Sequence, residues 1–525
     1  MPTMTDATRS DSRPKSKLSH LARSSLMIAV FFGIDKALGL FRQVVIGRQF
    51  GVGPELDAFN AANNLPDLLF ALISGGALSV AFIPVLSQAL SKDGREALWA
   101  LFSRVANLAF IITGGIAIVF AIFADQLVRA ELGVAPGFTP ELQSLVAQLM
   151  RLNLIATLLF SLSGLVSAGL QANQHFLLPA LAPVLYDVGQ IFGALILAPE
   201  TGYTIFGITL PAFGLGVHGL VYGVILGAAL HFTVQIPGLI RHGFKWLPSL
   251  GIRHPDVRKV ARLMLPRILN IGTFQLIFIV QDNLASRLEE GSITALTYGW
   301  QVMQVPETVI GTALGIAILP TLAEHFAAGD DEGFQDRVSR ALRAMLALTL
   351  PAGFLLMVTV RPLVQAAFNF DAHGTDLVVW ASRAYLIGLV GHTLLEIAGR
   401  SFYARQDART PLFASLLSAT TFTVCGVLLF RPLGATGIGL SNSLAFTIEA
   451  AFLLILLART FPKVLRQGRA AARIALGTAL GTALAFVAVT WLPLSPLLSS
   501  LAALALGGAV VIPFILPELR EFLRL

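Results

Sequence analysis

The chain has 525 residues, 55% of them hydrophobic and 13% charged, with a mean hydropathy of +0.76 and a formal net charge of +7. Roughly a quarter of an average soluble chain is charged, so this composition excludes a soluble globular protein and implies one built for lipid. The single cysteine, Cys425, excludes disulfides within the chain and thiolate metal sites.

Residues 1–23 are polar and basic (Arg9, Arg13, Lys15, Lys17, Arg23) and lack the short apolar core and small-residue cleavage site of a signal peptide. They read as a cytoplasmic tail. Fourteen apolar runs follow, centred on 26–48, 58–88, 98–123, 143–170, 176–198, 214–240, 262–287, 293–325, 340–360, 376–402, 411–430, 435–458, 472–492 and 496–516. The expected fold class is therefore an all-α polytopic membrane protein. Basic residues concentrate in alternate connections: Arg241, Lys245, Arg253, Arg258, Lys259 and Arg262 after the sixth run, and Arg459, Lys463, Arg466 and Arg469 after the twelfth. The opposite connections hold little more than Arg129, Arg287, Arg361 and Arg431. By the positive-inside rule both termini are cytoplasmic, and the basic loops are topology signals rather than a nucleic-acid surface.

One segment is written twice. Leu65-Pro66-Asp67 is answered by Val305-Pro306-Glu307, and GALSVAFIPVL (Gly76 to Leu86) by TALGIAILPTL (Thr312 to Leu322). Gln171-Ala172-Asn173-Gln174 with Pro179 is likewise answered by Tyr403-Ala404-Arg405-Gln406 with Pro411. The chain thus divides into a tail (1–23), a first six-helix lobe (24–241), a cytoplasmic linker (242–261), a second six-helix lobe (262–461), and two C-terminal helices with a cytoplasmic tail (462–525). Six spans per lobe keep the direction of the repeat, so an axis along the membrane normal relates the lobes.

A charge at mid-membrane costs about 2.5 to 3.5 kcal/mol on insertion scales and faces a partner or a wet cavity. The first run carries Asp35, Lys36 and Arg42. The second opens at Asp57 and aligns Asn60, Asn63, Asn64 and Asp67 at i, i+3, i+4, i+7, one polar stripe. Its counterpart is Gln301, Gln304 and Glu307, and the economical reading has both stripes facing one cavity. Interhelical hydrogen bonding is the bland alternative. Span 7 adds Arg267, Asn270, Gln275, Gln281, Asp282 and Asn283, the last three near its outer end, where solvation is the bland reading. Arg151, Asp187, Arg383, Glu396 and Glu449 read as structural charges. No phosphate-binding loop, no metal-ligand spacing and no nucleophile-base set is present, so no cofactor and no enzyme activity is expected. Transport would then draw on an ion gradient, the membrane potential or the substrate's own gradient.

The segments LDAFNAANNLPDLL (Leu56 to Leu69), GGALSVAFIPVLSQ (Gly75 to Gln88), PALAP (Pro179 to Pro183), ALGIAILPTLAEHFAAGD (Ala313 to Asp330) and SFYARQDARTP (Ser401 to Pro411) resemble the MurJ/MviN lipid II flippases of the multidrug/oligosaccharidyl-lipid/polysaccharide exporter superfamily. The resemblance spans nearly the whole chain. It implies two six-helix lobes, a central cationic cavity lined by spans 1, 2, 7 and 8, a lipid-tail groove beside spans 13 and 14, and alternating access that moves an undecaprenyl-diphosphate-linked muropeptide from the inner to the outer leaflet of the bacterial plasma membrane. It further implies a role in peptidoglycan synthesis and cell shape, with lipid II and membrane lipids as partners, a coupling ion and cell-wall synthesis proteins as further candidates, and no nucleic acid. Arg42 and Lys36 match basic positions of the family and Asp57 an acidic one. The expected substrate-binding set is Lys36, Arg42, Asp57, Asn63, Asn64, Asp67, Arg267, Gln301, Gln304 and Glu307. The cavity departs from the family at Gln43, Phe70, Gly75, Gln301 and Gln304, where charged residues are usual. An ion-coupled exporter of another polyprenyl-linked glycan or a small amphiphile is the alternative, with Asp57, Asp67 and Glu307 as proton or cation sites. A transport-inactive scaffold that gathers cell-wall enzymes is the third reading.

Overall fold

The computed structural model describes residues 15–73, 76–205, 207–465 and 467–522, without the side chains of 15–29, 76–81, 205, 208, 266–267 and 522. In chain order the helices are α1 (Lys15–Phe50), α2 (Pro54–Ile73), α3 (Gly76–Ile122), α4 (Ala124–Arg129), α5 (Pro140–Ala172), α6 (Leu177–Phe192), α7 (Gly216–Thr233), α8 (Ile236–Arg241) and α9 (Pro255–Ala285). They continue as α10 (Ser292–Pro306), α11 (Ala313–Ala327), α12 (Asp331–Phe368), α13 (Ala372–Ile387), α14 (Leu389–Ala404), α15 (Arg409–Thr460), α16 (Gly468–Trp491) and α17 (Pro496–Phe522). A two-rung antiparallel hairpin, β1 (Thr204–Ile205) and β2 (Ile208–Thr209), is the only sheet among the described residues.

Eleven helical stretches are long and apolar enough to cross a membrane among the described residues. The described residues of the fourteen expected runs are nevertheless mostly helical, some runs covering two helices, as 376–402 covers α13 and α14. The count differs for two reasons. First, α1 and α2 carry Asp35, Lys36, Arg42 and Arg48, and Glu55, Asp57 and Asp67, which dilute their hydropathy. Second, α15 holds two runs that turn at Gly434 (φ 59°, ψ −144°), just as α3 turns at Gly94 (φ 83°). Such left-handed backbone is open to glycine without steric cost. A further difference is that α1 begins at Lys15, inside the stretch expected as a tail.

The repeat is written in the backbone. Gln174 and Gln406, its matched residues, are both left-handed (φ 59° and 60°), closing α5 and α14. At each closure the next amide reaches back five residues, His175 N to Leu170 O and Asp407 N to Phe402 O, both at about the ideal hydrogen-bond length.

Helices α2, α3, α5, α6 and α7 pack largely on one another, as do α10 and α12 to α15, and α9 touches both sets. Within the first set small residues let backbones meet: a Cβ on Gly193 of the π turn after α6 would lie 2.6 Å from the Cα of Gly223 in α7. Helices α16 and α17 pair with each other and lean on α12, where Arg343 meets Glu521 (2.9 Å) and Arg473 meets Glu518.

Candidate substrate cavity

The two sets meet most firmly where α1 ends and α2 begins. Buried Asp57 accepts hydrogen bonds from the backbone N–H groups of Gly291 and Thr294, both at 2.7 Å, and so caps the start of α10 from the other half of the chain. Nearby, Asn283 Nδ2 donates to the carbonyls of Glu131 (2.9 Å) and Gly133 (2.6 Å), and Arg287 donates to Glu131 at 2.9 Å. Arg48 donates to the carbonyls of Ala366 and Ala367 at the end of α12. These contacts seal one end of the molecule.

Beneath that seal lies a cavity of about 540 Å³ walled by α1, α2, α5, α6, α9 and α10. Its charged lining consists of Arg42, Asp67 and Asp282, and its neutral polar lining is mostly amide: Gln43, Asn60, Asn63, Asn64, Asn153, Gln190, Gln275, Gln281 and Gln301. Arg42 is already engaged, its Nη1 lying 2.7 Å from Oδ1 of buried Asp187 on α6, although its Nε has no partner. Asn64 ties α2 to α9, donating to Asp282 Oδ2 (2.8 Å) and to the Phe278 carbonyl (3.1 Å). Asn63 ties α2 to α5, accepting from Asn153 Nδ2 at 2.7 Å. Asp67, one turn further along, receives no hydrogen bond or ion pair among the described residues.

A second cavity of about 1210 Å³ lies within the second half, between α9, α10, α11, α14 and α15. It is lined by Glu307, Glu396, Arg400 and Glu449 among its charged groups, together with His392 and Tyr403. Arg400 pairs with Glu396, and Glu307 accepts from Thr312 (3.2 Å) and Thr308 (3.4 Å) in a π-helical turn that follows Pro306.

The expected site set is thus divided. Arg42, Asn63, Asn64, Asp67 and Gln301 meet in the first cavity, whereas Gln304 and Glu307 line the second, so the two stripes do not face one space. The division falls between Gln301 and Gln304 within α10, ahead of the π turn at Glu307–Thr312, so successive turns of one helix face two spaces. Asp57 lines neither cavity, because the exposed N–H groups of α10 hold it in the seal. Lys36 stands apart on α1, 63% exposed, 3.5 Å from Asp35 and over the ring of Phe32. The side chain of Arg267, and Gly75, lie outside the described residues. The described lining has one guanidinium, Arg42, already paired with Asp187, and two carboxylates, Asp67 and Asp282. Asn153 escaped notice because a lone amide in an apolar run gives no periodic signal; Arg400 was discoverable, four residues after Glu396, at ion-pair spacing on a helix.

Comparison with known proteins agrees with this architecture. Residues 46–504 match the sequence profile of the family described as lipid II flippase MurJ. The chain is 31% identical over 446 residues to the lipid II flippase MurJ of Burkholderia cenocepacia, covering 83% of each chain, and 27% identical over 445 residues to the probable lipid II flippase MurJ of Vibrio cholerae, covering 82% of each. Among solved structures it is similar to a lipid II flippase MurJ in an inward closed conformation (TM-score 0.76, 21% identity, 95% of this chain and 100% of the other). It also resembles an inward-facing multidrug resistance transporter of the MATE family (TM-score 0.67, 14% identity, 84% of this chain and 99% of the other). These two likenesses concern the fold. On the sequence match across most of its length, the chain belongs to the lipid II flippase MurJ family, a family of multi-pass membrane transporters rather than enzymes.

Proposed function

We propose that this protein is a flippase that moves lipid II, a polyprenyl-diphosphate-linked muropeptide, from the inner to the outer leaflet of the bacterial cytoplasmic membrane, in the service of peptidoglycan synthesis. The observation that carries the reading is the polar cavity held between two repeated halves and sealed at one end, in a chain of this family. A carrier that works by alternating access needs that arrangement: one site, two packed bodies, and contacts that close one mouth at a time.

The moving bodies are residues 24–241 and 262–461, joined through the linker 242–261. The basic connections place the linker and both termini in the cytoplasm. The seal around Asp57 and Arg287 then lies on the outer side, and the conformation is one that loads from within. Arg42 and Lys36 on α1 are the cations available to a diphosphate, Arg42 through its free Nε and its fork of donors. Asn60, Asn63, Asn64 and Gln301 suit the hydroxyls and amides of the head group, and α16 and α17 offer the apolar face for the tail.

Complementation tests the reading: the protein is expressed in bacteria whose own lipid II flippase can be switched off. Rescue of growth, lost on Arg42→Ala and weakened by Lys36→Ala, is the expected result. A well-inserted protein that does not rescue overturns it. A second reading, an ion-coupled exporter of another polyprenyl-linked glycan or a cationic amphiphile, is favoured by one observation, the two carboxylates opposite a single neutralised arginine. It requires efflux that collapses with the ion gradient.

A further inference from the structure

The first cavity is unevenly satisfied, and the unmet groups describe what fills it. Asn153 is 2% exposed; its Nδ2 donates to Asn63 Oδ1, and Asn63 in turn donates to the Phe59 carbonyl at 3.1 Å, which fixes the direction of both amides. Asn153 Oδ1 is left without a donor. Asp67 opens onto the same space with no partner among the described residues, beside Tyr186 and Phe160 of the cavity wall. Asp282 is met by Asn64 and by the side chain of Gln281. Among the fully buried atoms of this lining the unmet donor is Arg42 Nε. The buried amide oxygen of Asn153 left unpaired is costly, and the Asp67 carboxylate, exposed to the cavity, attracts a cation, so a positively charged donor answers both. A diphosphate donates nothing and is repelled by two carboxylates, so it does not fill the depth of this cavity.

We propose that Asp67, with Asn153 lining the same cavity, is a subsite for a primary ammonium carried on a glycopeptide: the free side-chain amine of a diamino residue in the peptide stem of the cargo. This deepens the flippase reading and rests on it. The ammonium has three donors and one positive charge, which meets the two unpaired acceptors and offsets the excess carboxylate, while glycan hydroxyls meet Asn60, Gln301 and Asp282. The diphosphate stays at the α1 side with Arg42. The subsite makes the protein select cargo whose stem amine is unmodified.

The test uses the full chain in nanodiscs and measures binding of two lipids, the diphosphate-linked disaccharide pentapeptide with a free stem amine and the same lipid N-acetylated at that amine. For the unaltered protein, acetylation weakens binding by at least about tenfold, the scale of one hydrogen bond to a charged group. For Asp67→Asn both lipids bind alike and at the level of the acetylated form, which also reports that the variant is folded, and Asp67→Glu regains the preference. Equal binding of both lipids to the unaltered protein overturns the subsite while leaving the flippase reading intact. If neither lipid binds, the flippase reading fails; dodecylammonium binding that disappears in Asp67→Asn then keeps the ammonium site with a free amphiphile as its source, and no such binding overturns the site as well.

Discussion

Asp67 and Glu307 occupy the same place in the two copies of the repeat, each directly after a helix proline, yet their surroundings differ. Glu307 is buried, receives two threonine hydroxyls and stands in a cavity that contains Arg400, closed within one half of the chain. Asp67 faces the space between the halves and receives no hydrogen bond or ion pair among the described residues. A repeat therefore preserves backbone events, such as the paired left-handed residues Gln174 and Gln406, more faithfully than it preserves chemistry. The half-to-half surface is where chemistry is free to diverge, because a side chain there answers to a cargo and not to its neighbours.

That contrast can be broken by substitution. The largest effect falls on the wall of the central cavity: Arg42→Ala strands the buried Asp187 carboxylate and lowers stability by about 3 to 5 kcal/mol, read by thermal unfolding in detergent, while Arg42→Ala with Asp187→Ala recovers most of it. Failure of the double variant to recover would show that Arg42 is held by something other than this pair. Asp57→Ala, which removes two charge-assisted bonds from the start of α10, costs about 2 kcal/mol and loosens the seal, seen as faster labelling of a cysteine placed at Thr297. Glu307→Gln costs about 1 kcal/mol because a neutral amide still accepts from Thr312, whereas Asp67→Asn leaves the unfolding temperature unchanged or raises it. Equal losses at the two positions would erase the distinction drawn between them.

The smallest effect lies outside the membrane. Asp330 accepts from Gly333 N (2.9 Å) and from His325 (2.8 Å), and these bonds hold its carboxyl below the usual range. Its contribution is present above the ordinary carboxylate pKa and is lost as the pH falls through the lowered one, so Asp330→Asn flattens the acid limb of a stability-against-pH curve slightly.

Much of the fold was legible because membrane helices obey a one-dimensional rule: enough apolar residues to cross the hydrocarbon, separated by basic or turn-forming connections. The repeat was legible because Pro66 and Pro306, and the Gln174 and Gln406 segments, mark matched backbone positions. The site was legible only in part. The stripe of Asn60, Asn63, Asn64 and Asp67 shares one helix face, but nothing in its spacing separates Asn63 and Asn64, which hold helices together, from Asp67, which holds nothing. Asp57 lies one turn before the same stripe and was drawn into the seal by the N–H groups of a helix more than 230 residues away, a partner no local pattern encodes.

Hydropathy, charge asymmetry and internal repetition, all properties of the chain read in order, determined that this is a polytopic α-helical membrane protein that carries an internal sequence repeat. Which polar groups are satisfied and which are free was decided only by tertiary structure. Desolvation and hydrogen bonding act between residues brought together by packing, so Arg42 meets Asp187, Asn64 meets Asp282, and Asp67 is left facing the cavity.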